Sequence, residues 1–205
     1  MTGDTAVTIC SQALRELGEN GITALTENST AGRLCNALYD KERRKELRAH
    51  RWNFAIKRVA LAQLGTAPAF GYSYAYTLPS DALRILEEQY HDTDFKVENQ
   101  GGVRVVVTDS GTFNALYVAN ITDPTLFDAD FVDAFVARMK WKMAYPITGS
   151  AAKEQQAKAD YETQVKEARS IDAQEGIPDS IESNTLTGVR QGWDSDPGKY
   201  TDFEV

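Results

Sequence analysis

The spacing of apolar residues changes twice along this chain of 205 residues, and no other feature constrains its fold as strongly. In residues 4–17 apolar side chains recur every three or four positions, which predicts one face of an amphipathic helix. A second helix is predicted from Ser29 or Thr30, either of which suits an N-cap, to about Ala49. The short connection between these two helices predicts that they pack antiparallel as a hairpin.

The middle of the chain is rich in β-branched and aromatic residues, which favour strands. Gly101-Gly102 and Asp109-Ser110-Gly111 have the composition of hairpin turns. This part of the chain therefore predicts a small, mostly antiparallel sheet. Its strands are predicted over residues 56–63, 72–78, 83–89, 95–98, 103–108 and 116–121.

Helical spacing returns at Asp128. Phe131, Phe135, Met139 and Met143 mark one stripe of a third helix, and residues 150–173 are rich in strong helix formers. The order of segments predicts an α+β fold, in which the terminal helices form an antiparallel bundle and the sheet is an insertion. The predicted boundaries are 4–55 and 126–173 for the helical bundle, 56–125 for the β-rich insertion and 174–205 for an extended C-terminal arm.

Charge and composition argue against several classes of function. The formal charge is −8 and the isoelectric point about 4.9, whereas broad binding of DNA phosphates depends on Lys and Arg. The same acidity argues against adhesion to anionic membranes. No apolar stretch is long enough for a signal peptide or a membrane span, so we expect a soluble protein made in the cytoplasm. Cys10 and Cys35 are expected to be buried free thiols.

No group of residues predicts a catalytic, cofactor-binding or metal site. The glycines lack the spacing of phosphate-binding loops, and neither His50 nor His91 has a metal-ligand spacing. His50 lies next to Trp52 and is expected to cap or pack against a helix end. Adjacent residues on a strand point to opposite faces, and acids at a helix start are explained by capping and the helix dipole. The carboxylates considered for an envelope hydrolase are Glu87, Glu88, Asp128, Asp130 and Asp133.

The second predicted helix ends in a basic segment. Its arginines Arg43, Arg44 and Arg48 are interleaved with Glu42 and Glu46. A DNA-binding helix of a packaging protein is one interpretation of this segment. The interleaved acids favour instead a solvated, salt-bridged face, or a face that meets the acids of a neighbouring copy.

The C-terminal residues 174–205 combine acidity with large aromatic side chains. They hold seven acids and two bases, together with Trp193, Tyr200 and Phe203. A linker that only needs flexibility has no use for three large aromatic residues. The pattern favours an extended arm that anchors on a neighbouring surface, and the alternative is a tail that folds back on its own domain.

Three short motifs occur in order along the chain. Residues 13–18 read A-L-R-E-L-G, residues 47–55 have the pattern L-R-x-x-x-W-x-F-A, and residues 76–81 have the pattern Y-x-L-P-x-D. In this order the motifs resemble those of the tail tubular protein A family, the head-to-tail adaptors of short-tailed bacteriophages. The resemblance extends from residue 4 to about residue 170.

The resemblance implies a structural protein rather than an enzyme, with no cofactor. It implies a homo-oligomeric ring, typically of twelve copies, that lies in the virion between the portal protein and a tail nozzle of the tubular protein B kind. Genome DNA would pass through the lumen without specific binding, and no membrane would be a partner. The family's C-terminal extension reaches toward the portal, which implies that Trp193, Tyr200 and Phe203 bind there. An envelope hydrolase and a DNA-binding packaging protein are the alternatives.

Overall fold

The computed structural model of the chain describes residues 4–88 and 94–175, without the side chains of Glu87 and Glu88. These residues form an α+β fold with four α-helices and six strands, as predicted for the fold class. They belong to one unit that ends at Glu175. In chain order the elements are α1 (Ala6–Glu16), α2 (Thr30–Ala49), β1 (Ile56–Ala60), β2 (Tyr74–Thr77), β3 (Ala82–Glu88), β4 (Phe95–Gln100), β5 (Val103–Thr108), β6 (Asn114–Ala119), α3 (Ala129–Thr148) and α4 (Ala151–Gln174).

Side-chain caps explain where the first helices begin. Thr5 Oγ1 accepts a hydrogen bond from the Thr8 backbone N–H at 3.1 Å, and Ser29 Oγ accepts one from the Gly32 N–H at 2.9 Å. These bonds satisfy donors that a helix start otherwise leaves unpaired, and Ser29 is thereby confirmed as the N-cap of α2. Asp128 holds the N-cap position of α3 but makes no capping hydrogen bond, so the capping explanation is wrong for this side chain.

Glycine ends α3. Gly149 has a left-handed backbone with φ of 64°, and its N–H donates to the Tyr145 carbonyl at 2.9 Å. Glycine adopts this conformation without the steric cost that a side chain would add. The chain can therefore reverse within a residue or two and start α4 at Ala151, so that α3 and α4 pack along each other.

The strands form two antiparallel sheets of three strands each, where the sequence predicted a single sheet. The first sheet has the order β1-β6-β3 and the second the order β2-β5-β4. Val105, Val106 and Val107 of the central strand β5 are all at most 1% exposed, so both faces of the second sheet are covered along this strand. One half-solvated sheet would leave every second residue of such a run exposed. The run therefore needs a layer on each side.

The main core lies around α3, which contacts each of the other three helices. The predicted stripe Phe131, Phe135, Met139 and Met143 is fully buried there. Tyr117, Val118 and Ala119 of β6 join the same core, so the first sheet packs on the helices. Cys10 and Cys35 are buried and free, as predicted, and Cys35 Sγ lies 3.5 Å from Met143 Sδ. Among the helices of residues 4–88 and 94–175, none is both long and apolar enough to cross a membrane.

Candidate interaction surfaces

The basic segment of α2 divides between the interior and the surface. Arg43 is 4% exposed, lies 3.0 Å from Asp40 and donates to Asn120 Oδ1 at 3.3 Å. Arg44 and Arg48 are exposed. The structure therefore brings Arg44 and Arg48 together on one face and separates Arg43 from them. The three arginines were grouped because they are close in sequence, but only two share a turn-to-turn stripe on the helix.

The acids interleaved with these arginines point inward. Glu42 and Glu46 are 1% and 0% exposed, so they are not part of a solvated face. Both meet Arg138 of α3, whose nitrogens lie 2.8 Å from a carboxylate oxygen of each. The Tyr161 hydroxyl of α4 donates to Glu46 at 2.7 Å. This buried ion network (Glu42, Glu46, Arg138 and Tyr161) joins three helices.

Inside the buried ion network, contacts with opposite charges shift the pKa values of Glu42 and Arg138 more than burial does. Burial acts to raise the pKa of Glu42, but hydrogen bonds from Lys45 and Arg138 lower it below its usual value. Burial acts to lower the pKa of Arg138, and the charges of Glu46 and Tyr161 and the contact with Glu42 raise it. Burial, followed by Glu46, raises the pKa of Tyr161 to about 12. The Glu42 carboxylate and the Arg138 guanidinium therefore keep each other ionised in the core.

A basic groove runs between α2 and the strands. Its volume is about 820 Å³, and cationic side chains dominate its walls. Among the described residues no carboxylate lines it. The Arg104 guanidinium is held by a 2.8 Å hydrogen bond to the Ala82 carbonyl, which fixes its position. The basic groove is lined by Lys41, Arg44, Lys45 and Arg48 of α2, by Arg104 of β5, and by Ser80, Ala82, Leu83, Val97 and Asn120.

An acidic groove of about 490 Å³ lies between α1, α3 and α4. Its one lining cation, Lys140, already contacts Asp160 at 3.1 Å and Glu16 at 3.4 Å. Partial burial raises the pKa of Asp133, and the nearby acids Asp130, Asp4 and Glu16 raise it further. Asp133 therefore lies in an excess of negative charge. The acidic groove is lined by Gln12, Glu16, Asp133, Val136, Ala137, Lys140, Asp160, Thr163 and Gln164.

Three more carboxylates meet at the end of α4, and their contacts there are structural. Carboxylate oxygens of Asp128, Asp172 and Glu175 lie within 4.8 Å of one another. The 7% exposed Asp172 accepts a hydrogen bond from the Asn53 N–H at 2.9 Å, and its other oxygen lies 3.1 Å from His50 Nε2. Burial, with Glu175 and Asp172 nearby, raises the pKa of Asp128. The cluster fixes the end of α4 against the chain that follows α2.

His50 has the helix-end role that its position predicted. It is the C-cap residue of α2, and its ring packs edge-on against Trp52 with centroids 4.8 Å apart. Burial lowers the pKa of His50, although Asp172 acts in the opposite direction. His91 lies outside the described residues, as do Trp193, Tyr200 and Phe203 of the predicted arm. Glu87 and Glu88 lie on β3, but their side chains are not described.

Most residues of the three motifs pack in the core. Leu47 and Ala55 are fully buried, and Trp52, which is 1% exposed, donates its indole N–H to the Glu46 carbonyl at 3.1 Å. Asp81 accepts hydrogen bonds from Lys57 at 2.7 Å and from the Tyr117 hydroxyl at 3.1 Å. These contacts show that the motif residues described stabilise the fold, and they give these residues no catalytic role. The chain matches no protein-family model, and a search of curated proteins finds no match.

Proposed function

We propose that this protein is a structural subunit of the head-to-tail connector of a short-tailed bacteriophage, and not an enzyme. The observation that carries the proposal is the order of the three motifs, at residues 13–18, 47–55 and 76–81, on a chain whose described part has helices at both ends and strands between them. The proposal includes an antiparallel bundle of the terminal helices, a β-rich insertion and a C-terminal arm that starts at residue 174.

In this role the chain forms a ring, typically of twelve copies, between the portal protein and the tail nozzle of a virion. A closed ring needs two different faces of each subunit that complement one another. The net charge of −8 suits a conduit, because an acidic wall does not retain phosphates and genome DNA passes without specific binding. The arm supplies the link to the portal, with Trp193, Tyr200 and Phe203 as its buried anchors.

A DNA-binding packaging protein is the second candidate, because the basic groove offers five cations. Duplex binding through phosphate contacts would weaken steeply with salt, which separates this function from the first. An envelope hydrolase has less support. It needs two carboxylates that face one substrate, and the described acidic cluster at the end of α4 contains Asp172, whose oxygens already contact Asn53 and His50.

Removal of the arm is expected to abolish binding to the portal protein of the same phage. A chain that ends at Glu175 keeps α4 intact, and its complexes with the portal can be compared with those of the full chain by light scattering. Loss of a single aromatic anchor is expected to weaken binding at least about 30-fold, since such anchors contribute about 2 kcal/mol or more.

The matched controls lie in the same arm. Glu182→Gln and Glu204→Gln leave its aromatic residues in place and are expected to retain most of the affinity, whereas Trp193→Ala is expected to lose it. A full-length chain that forms no complex with the portal would contradict the proposed function. Salt-sensitive binding to duplex DNA in its place would support the packaging candidate.

A further inference from the structure

The basic groove and the acidic groove lie on different sides of the helices. On α2, Lys41, Arg44 and Arg48 recur every three or four residues, whereas Glu42 and Glu46 form another stripe that points to Arg138. On α3, Arg138 follows Asp133 by five residues, which places their side chains about 140° apart at about 100° per residue. The buried ion network thus separates a basic side of the molecule from an acidic side.

Both grooves carry charge that the described residues leave unbalanced. No carboxylate of the described residues forms an ion pair with Arg44 or Arg48. On the acidic side Asp133 has three acidic neighbours, and Lys140, the cation there, is shared between Asp160 and Glu16. Each side therefore has the charge that the other side lacks.

We propose that the basic groove of one copy binds the acidic groove of a second copy, so that subunits join head to tail. The inference rests on the proposed ring function and names the surfaces that would meet. Contacts of this kind between two different faces repeat from copy to copy and close into a ring when the rotation allows. The charges would set register and partner choice, while Leu83 and the 43% exposed Val97 add apolar surface within the basic groove.

A second copy explains more of the described surface than duplex DNA does. DNA would account for the basic groove and would leave the acidic groove without a partner. A second copy also presents a localised acidic surface, in which the acids lie next to neutral Gln12, Thr163 and Gln164. A cation placed beside Asp133 by a neighbour would relieve the repulsion between that side chain and its acidic neighbours.

Charge reversal on each side, followed by mixing, tests the pairing. The basic-side variant is Arg44→Glu/Arg48→Glu and the acidic-side variant is Asp133→Lys/Gln164→Lys, and all four positions are exposed. Sedimentation velocity of the full-length chain should show self-association that weakens with salt. Each variant alone is expected to associate at least about tenfold more weakly. An equal mixture is expected to regain association, because each reversed face then meets an oppositely charged one.

Asp133→Asn separates docking from folding. This change removes a charge that its surroundings disfavour, so the thermal midpoint of the variant is expected to equal or exceed that of the wild type. Its self-association is nevertheless expected to weaken. A lower midpoint together with unchanged association would show that Asp133 has only a structural role and would overturn the pairing.

Other results of these experiments would contradict either the pairing of the grooves or the connector function. A mixture that associates no better than its components would overturn the pairing of the two grooves. Salt-dependent duplex binding that Arg44→Glu/Arg48→Glu abolishes, with self-association unchanged, would identify the groove as a nucleic-acid site. If portal complexes form normally with both charge-reversed variants, the pairing fails and the connector function stands. If the wild-type chain associates neither with itself nor with the portal, the connector function fails.

Discussion

Replacement of Arg138 by methionine is expected to lower the free energy of unfolding by about 3–5 kcal/mol at neutral pH. The change leaves Glu42 and Glu46, which are 1% and 0% exposed, without the guanidinium that lies 2.8 Å from each. Removal of one member of a buried ion network is costly because the remaining charges stay desolvated with fewer partners, here Lys45 at 2.9 Å from Glu42 and Arg169 at 3.8 Å from Glu46. Urea unfolding of the full-length chain measures the loss.

The loss in free energy of unfolding caused by Arg138→Met is expected to become smaller as the pH falls. In the wild type the pKa of Glu42 is lowered from its ordinary value of 4.5, so its contribution is present above that pH and is lost as the pH falls through the lowered pKa. In the variant the Arg138 contacts that oppose burial are missing, so the pKa of Glu42 rises, and the protonated form relieves the penalty. The difference in the free energy of unfolding between the wild type and the variant should therefore be smaller near pH 5 than at pH 7.

Two further variants separate charge burial from loss of a side chain. Lys158 forms an exposed pair with Glu162 on α4, and Lys158→Met is expected to change stability by at most about 0.5 kcal/mol. The triple variant Arg138→Met/Glu42→Gln/Glu46→Gln removes the stranded charges and should recover part of the lost stability. A small, pH-independent effect of Arg138→Met would mean that solvent reaches the network and that the carboxylates are not desolvated.

Replacement of Trp52 by alanine is expected to cost about 3–5 kcal/mol. The indole is 1% exposed, and its ring meets Phe131 edge-on with centroids 5.0 Å apart. It joins the end of α2 to the start of α3, so its loss leaves a cavity where two segments distant in sequence meet. Thermal and urea unfolding of the variant both report this loss, and the lower stability should be accompanied by normal secondary structure at low temperature.

Trp52→Phe is the matched control. Phenylalanine keeps most of the apolar volume but loses the N–H that donates to the Glu46 carbonyl at 3.1 Å. We expect a cost of about 1–2 kcal/mol, from one lost hydrogen bond and a small cavity. If Trp52→Ala kept wild-type stability and lost only portal binding, then the L-R-x-x-x-W-x-F-A motif would act in recognition rather than in packing.

Local signals in the sequence were sufficient for the elements themselves. The second helix was predicted from Ser29 or Thr30 to about Ala49, and α2 spans Thr30–Ala49 behind a Ser29 cap. The stripe of Phe131 and Phe135 is buried as predicted, because a three-to-four spacing depends only on neighbours within two turns. Each of the six predicted strands corresponds to one observed strand, with ends that differ by up to a few residues.

Features that depend on residues distant in sequence could not be predicted from local sequence patterns. Glu42 and Glu46 were taken as surface acids, since nothing near them in sequence reveals that Arg138 lies 96 and 92 residues further along. The division of the strands into two sheets depends in the same way on which strands pair. The acidic groove was missed because Asp133 was explained by the helix dipole, whereas its neighbours Asp4 and Glu16 come from α1 and the residues before it.

The long separation between Glu42 and Arg138 also affects how the protein is made. At roughly 5–20 residues per second, a ribosome needs roughly 5–20 s to extend the nascent chain by the 96 residues that separate them. During that time α2 has no guanidinium from α3 and no core to bury its apolar stripe. The residues of α2 that pack on α3 therefore have no partner there until α3 emerges. The packing of α2 is thus set by when α3 is synthesised rather than by when α2 is.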